Sequence, residues 1–197
     1  IPTLHLVKKS SQIALKGPYT LNVLSIFDKD NWDLDLDENR INIALYHGAV
    51  KGAKTDVGYT IEHGDVDFET LTKFDFAFLG DIHKSNQILD KEGRIRYAGS
   101  TVQQNHGETD DKGFLIWEIQ GRNHYSVEHV FLKNPKPFKT INLTPKGRIP
   151  KNANVPMGCR LRLVANTNVS LDILRKALSV AKTKFKPEAL AFLNRAA

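Results

Sequence analysis

The sequence is short of cysteine and of long apolar runs, and each shortage narrows what it can be. A single cysteine, Cys159, excludes an internal disulfide and fits a reducing, cytoplasmic setting. No stretch approaches the roughly 18 consecutive apolar residues of a membrane-spanning helix, and no signal-peptide pattern opens the chain, so no membrane role is expected. Internal repeats and low-complexity segments are absent as well. The chain opens on Ile1-Pro2 rather than Met and closes on Asn194-Arg195-Ala196-Ala197 without evident terminal structure, so a longer parent protein is expected. What remains is a 197-residue chain, 41% hydrophobic and 25% charged, with the composition of a globular protein of one to one and a half domains.

Charge is divided unevenly along the chain. Residues 1–131 hold 14 Lys+Arg against 20 Asp+Glu, whereas residues 132–197 hold 14 against 2. A net charge of −6 beside one of +12 is the asymmetry of a protein that meets a polyanion, and nucleic acid is favoured over a merely solvated lysine-rich surface.

The first half reads as strands and turns. Leu21 to Phe27 and Ile41 to Tyr46 are short apolar runs rich in β-branched residues. Asp67 to Thr72 reads as a short helix with an acidic first turn, and Phe74 to Leu79 as a buried strand ending at Gly80. Two hairpins follow, 86–99 and 113–130, the second turning through Gln120-Gly121-Arg122-Asn123. Asn134-Pro135-Lys136-Pro137 is a linker, because two prolines resist both helix and central strand. Domains are therefore expected over 1–133 and 138–197. In the second, strands are expected at 138–143 and 160–165, then a helix capped by Ser170 and stopped by Pro187, then a third strand over 188–193.

Two strand ends carry the chemistry. Leu45-Tyr46-His47-Gly48 and Leu79-Gly80-Asp81-Ile82-His83 each place polar donors just after an apolar run, where a rigid scaffold meets an open loop. In an extended Asp81-x-His83 the alternate side chains point to one side, so carboxylate and imidazole can converge on a cation. Gly48 and Gly80 let backbone come close without a side-chain clash. A strand-end histidine is also what a hydrogen-bonded core residue looks like, and on these residues alone the two readings are evenly matched.

The order of motifs resembles a known family. His47 in Leu-Tyr-His-Gly, Gly80-Asp81-Ile82-His83, Tyr97-Ala98-Gly99-Ser100-Thr101-Val102 and Lys112-Gly113-Phe114 are similar to the second half of a calcineurin-like metallophosphoesterase. Within that superfamily they look most like the SbcD-type DNA repair and recombination nuclease subunit. The resemblance covers essentially the whole chain, the linker and the basic unit included. It implies an α/β (α+β) fold: the C-terminal half of a four-layered β-sandwich, with a small, truncated α/β DNA-capping domain. It implies metal ligands at His47, Asp81 and His83 for two divalent ions, most suitably Mn²⁺ with Mg²⁺ as the alternative. Aspartate stands at position 81 where the family has histidine. A carboxylate suits such cations, although Asp81 could instead orient His47.

The family's early motifs, which supply the bridging carboxylate and the leaving-group histidine, do not occur upstream of His47. No catalytic residue is therefore expected within the chain, and the chain by itself is expected to be inactive. Gln103, Gln104, Asn105 and His106, with Lys139, Arg160 and Arg162, are the candidate nucleic-acid contacts, against the alternative of a polar surface loop. The implied function is hydrolysis of DNA phosphodiesters with an SbcC-type coiled-coil ATPase as partner, the intact protein acting as a homodimer. The alternatives are a metallophosphoesterase acting on other phosphoesters and a non-catalytic DNA-binding or scaffold relative.

Overall fold

A computed structural model of the chain describes residues 6–195. Its secondary structure is mostly strand, with one α-helix among the described residues. The chain divides into two compact units, residues 1–101 with 111–132, and residues 102–110 with 133–197. The loop 102–110, which the sequence order assigns to the first domain, thus groups with the second.

The first unit is built on a six-stranded mixed sheet. Its strands are β1 (Ser11–Ala14), β2 (Tyr19–Leu24), β3 (Ile41–His47), β4 (Phe76–Gly80), β5 (Gln87–Ile88) and β6 (Ile95–Tyr97). They lie in the order β1-β2-β3-β4-β6-β5, the four central strands parallel and the two edge strands antiparallel to their neighbours. Between β3 and β4 the segment read as a helix forms one short 3₁₀ turn, Phe68–Leu71. Four residues between an aspartate and a turn are too few to repay α-helix nucleation.

Strand periodicity divides the sheet into two faces. Ala44, Tyr46, Ala77, Leu79, Ile95 and Tyr97 point to one face, packed beneath Val50, Ala53, Val66, Leu71 and Phe74 from the connections. Ile41, Ile43, Phe76 and Phe78 point to the other, covered by Trp117, Ile119 and Tyr125. The covering residues come from a long hairpin, β7 (Gly113–Gly121) and β8 (His124–Phe131), paired from Gly113 with Phe131 to its turn with one irregularity between Ile119 and Gly121. Phe76, fully buried, meets both Trp117 and Tyr125 edge to face, with centroids 5.9 and 5.0 Å away.

The second unit is a three-stranded parallel sheet, β9 (Phe138–Asn142), β10 (Arg160–Ala165), α1 (Leu171–Phe185) and β11 (Ala189–Asn194), in the strand order β11-β10-β9. The helix lays Ala177, Ala181 and Phe185 on Ile141, Leu161 and Leu163. Ser170 stands at its N-cap, without a side-chain capping bond, and Lys186 ends it in the left-handed conformation just before Pro187.

Because Phe76 joins the central strand to the hairpin, Phe76→Ala is expected to cost about 3–5 kcal/mol. Urea unfolding followed by tryptophan emission, which reports on Trp117, checks this. A loss under about 1 kcal/mol would show that the hairpin does not seal this face.

Candidate functional site

The site takes its position from β3 and β4. The two strands run parallel and end in step, with His47 paired beside Gly80, and the Gly48 N–H donates to the Gly80 carbonyl at 3.3 Å. Absence of a side chain at position 80 matters, since a Cβ there would stand 2.7 Å from Nδ1 of His47. A Cβ at position 48 would overlap the Tyr46 hydroxyl. Both glycines are therefore places where neighbouring side chains occupy the room a larger residue would need.

His47 and Asp81 are brought together, with Nε2 3.8 Å from Oδ1 and side chains 76% and 45% exposed. Two donors at that separation, open to solvent, can share a cation. His83 does not join them in a three-donor cluster: among the described residues no group of three His, Cys, Asp or Glu is placed to hold a metal ion. The parity expected for an extended Asp81-x-His83 is not realised, because β4 stops at Gly80 and Asp81 turns the chain with φ +94°. Such a backbone is strained for any residue with a Cβ, although aspartate tolerates it better than most. The residues present thus form part of a donor set and not a whole one.

Beneath the pair lie two tyrosines. The Tyr97 hydroxyl donates to the Gly48 carbonyl at 2.7 Å and accepts the Val50 N–H at 2.8 Å. These bonds tie the loop after His47 to the core. Burial pushes the Tyr97 phenol up to about 12 and raises Tyr46 further, so both stay protonated across the physiological range. The Tyr46 hydroxyl is buried without a hydrogen-bond partner. On the His47 side of the sheet, bordering the hairpin's cover at Phe78, an apolar recess of about 990 Å³ is lined by Val23, Ile26, Phe27, Leu45 and Phe78. Phe27 is 86% exposed.

Arg160, Arg162 and His106 gather on one face of the second unit, whereas Lys139 falls in the alternate register beside Leu161. Arg160 and Arg162 alternate along β10, and Arg162 donates to the Thr140 hydroxyl at 3.2 Å. His106 stands over Phe138 edge to face at 4.9 Å, and the Arg160 guanidinium lies 5.0 Å from the same ring. Burial and then the Arg162 charge hold the His106 imidazole below its usual pKa. Lys139 pairs with Asp110 at 3.0 Å. Gln104 and Asn105 are exposed, and Asn105 donates to Glu108 at 2.7 Å.

Gln103 differs from these neighbours, being only 3% exposed. Its Oε1 accepts the Phe138 N–H at 2.8 Å, and its Nε2 donates to the Glu108 and Phe138 carbonyls at 2.7 and 3.2 Å. The amide stands in for a neighbouring strand along the edge of β9, which removes it from the surface. That partner lies 35 residues away in sequence, so no local signal could have disclosed it.

No protein-family model matches the chain. Over 179 residues, 85% of its length, it is 30% identical to the uncharacterized protein R555 of Acanthamoeba polyphaga mimivirus, of which it spans 13%. Over 114 residues, 54% of its length, it is 28% identical to the SbcD component of the nuclease SbcCD of Staphylococcus epidermidis, of which it spans 29%. The chain is similar in part to a nuclease subunit. It covers less than a third of either relative.

Strain at Asp81 gives an expected trade-off. Asp81→Gly should stabilise the chain by about 1 kcal/mol while removing the carboxylate, and Asp81→Ala should destabilise it. Chemical denaturation of the two variants measures the difference, and equal stabilities would show that the backbone at 81 is relaxed.

Proposed function

We propose that this chain is part of a metal-dependent DNA nuclease subunit, and that it supplies part of a divalent-metal site together with a DNA-binding unit. The convergence of His47 and Asp81 at two adjacent parallel strand ends carries the proposal. The partial similarity to the nuclease subunit supports it. On this reading the six-stranded sheet and its hairpin are the C-terminal half of a layered phosphoesterase sandwich. His47, Asp81 and His83 are the metal-facing residues, and the remaining donors come from outside the described residues. A divalent ion, Mn²⁺ or Mg²⁺, would supply Lewis-acid stabilisation of the phosphodiester and a water acidic enough to attack it. This chain's own residues orient that ion: the paired strand ends fix His47, and the turn at Asp81 presents the carboxylate. The name of the nuclease relative points to an SbcC-type partner for the intact protein.

The second unit provides affinity for the substrate. With the loop 102–110 included it carries 14 Lys+Arg against 4 Asp+Glu. Arg160, Arg162 and His106 stand together with the exposed Thr140, Ala189 and Ala191 on the sheet face opposite the helix. Cations and hydroxyls on a flat sheet suit phosphates in any sequence, without base readout.

A second reading, a non-catalytic DNA-binding relative, is favoured by the absence of a three-donor cluster among the described residues. Under both readings the 197-residue chain is expected to hydrolyse no DNA in Mn²⁺, and to bind duplex DNA with an affinity that falls steeply with salt. Fluorescence anisotropy of a labelled duplex should show a flatter plot of log affinity against log salt when Arg160→Ala and Arg162→Ala are combined. The slope should drop by about 1 for each phosphate that is no longer neutralised. Binding that is indifferent to salt would remove the DNA proposal, and Mn²⁺ that leaves the His47 resonances unmoved would favour the non-catalytic reading.

A further inference from the structure

Lys112 is fully buried, an unusual place for an ammonium group. Its Nζ donates to Asp56 Oδ2 at 2.7 Å, and the two side chains are 0% and 5% exposed. The same Nζ donates to the backbone carbonyl of His83 at 2.7 Å. That carbonyl also accepts the Ser100 N–H at 3.3 Å. Three connections of the first unit thus meet at one buried charge. Asp56 comes from the long excursion between β3 and β4, His83 from the turn after β4, and Lys112 from the residue before β7.

Burying an ion pair seldom stabilises a fold more than well-packed apolar residues of similar volume would. This ammonium reaches the backbone of a residue placed in the candidate site. Asp81, two residues away, has a backbone conformation that persists only when its surroundings hold it there. We propose that Lys112, charge-balanced by Asp56, is a positioning residue: it clamps the His83 carbonyl and so fixes the turn 81–83 that presents Asp81 and His83. This inference rests on the metal-site reading above and adds to it the residue pair that sets the geometry of the turn. Lys112 itself is buried away from solvent.

The test compares the wild-type chain with Lys112→Met and with the double variant Lys112→Met, Asp56→Leu. The single variant removes the ammonium beside a buried carboxylate, and its melting temperature is expected to fall by about 10 °C. The double variant removes both charges and should recover most of that loss. If the pair positions the turn, the recovered double variant still shows displaced amide resonances at Asp81, Ile82, His83 and Ser100. It also needs about tenfold more Mn²⁺ to broaden the His83 ring signals. A double variant with wild-type stability, wild-type resonances over 81–83 and a wild-type Mn²⁺ response would overturn the inference. So would one that does not fold, since the pair would then serve folding alone. If Mn²⁺ leaves the wild-type His47 and His83 signals untouched, the metal reading fails, and the metal-free resonances still decide whether Lys112 holds the turn.

Discussion

The parallel pairing of β3 with β4 sets His47 beside Gly80, and the geometry of the strand ends follows from that register. A slip of β3 by one residue would carry His47 to the opposite face, where the connections pack over Tyr46 and Leu79, and would take Ile43 out of its packing with Phe76 beneath the hairpin. Two buried faces fix the register: Ala44 and Ala77 lie under the connections while Ile43 and Phe76 lie under the hairpin. The cost of such a slip is the burial of several large side chains, far more than any polar contact at the site could offset. Exposed donors can therefore stand at the sheet's end without contributing to its stability.

Two further devices act on the ends that the register creates. Tyr97 secures the loop after β3 through its hydroxyl, and the Lys112–Asp56 pair secures the turn after β4 through a backbone carbonyl. Both work from beneath, leaving His47 and Asp81 open to solvent. In the second unit the arrangement is complementary. The helix takes one face of a small sheet, so the arginines of β10 are left on the other with Thr140 and His106 beside them.

Much of this was legible in the sequence. The apolar runs of β3 and β4, the alternation of the long hairpin, and the helix from Leu171 to Phe185 are strong periodic signals backed by turn residues. Other features lack a local signal. β1 is a polar, exposed edge strand held by pairing to β2, and its four residues carry no mark of their own. The turn at Asp81 is carried by a residue that seldom adopts positive φ, so the sequence invited an extended reading. Lys112 follows two aspartates and looks like a surface residue until Asp56, 56 positions away, is folded against it. Gln103 is hidden for the same reason. In each case the deciding partner is distant in sequence, and only the resemblance of Lys112-Gly113-Phe114 to a family motif hinted at any of them.

The central claim is that His47 and Asp81 face a common cation. Electron spin echo spectroscopy of Mn²⁺ added to the 197-residue chain tests it most directly, because a directly bound imidazole imprints a nitrogen modulation on the manganese signal. The expected result is such a modulation in the wild type, weakened in His47→Ala, lost when His83→Ala is added, and kept in full in His63→Ala. A wild-type spectrum without nitrogen modulation, or one that His47→Ala leaves at full depth, would contradict it.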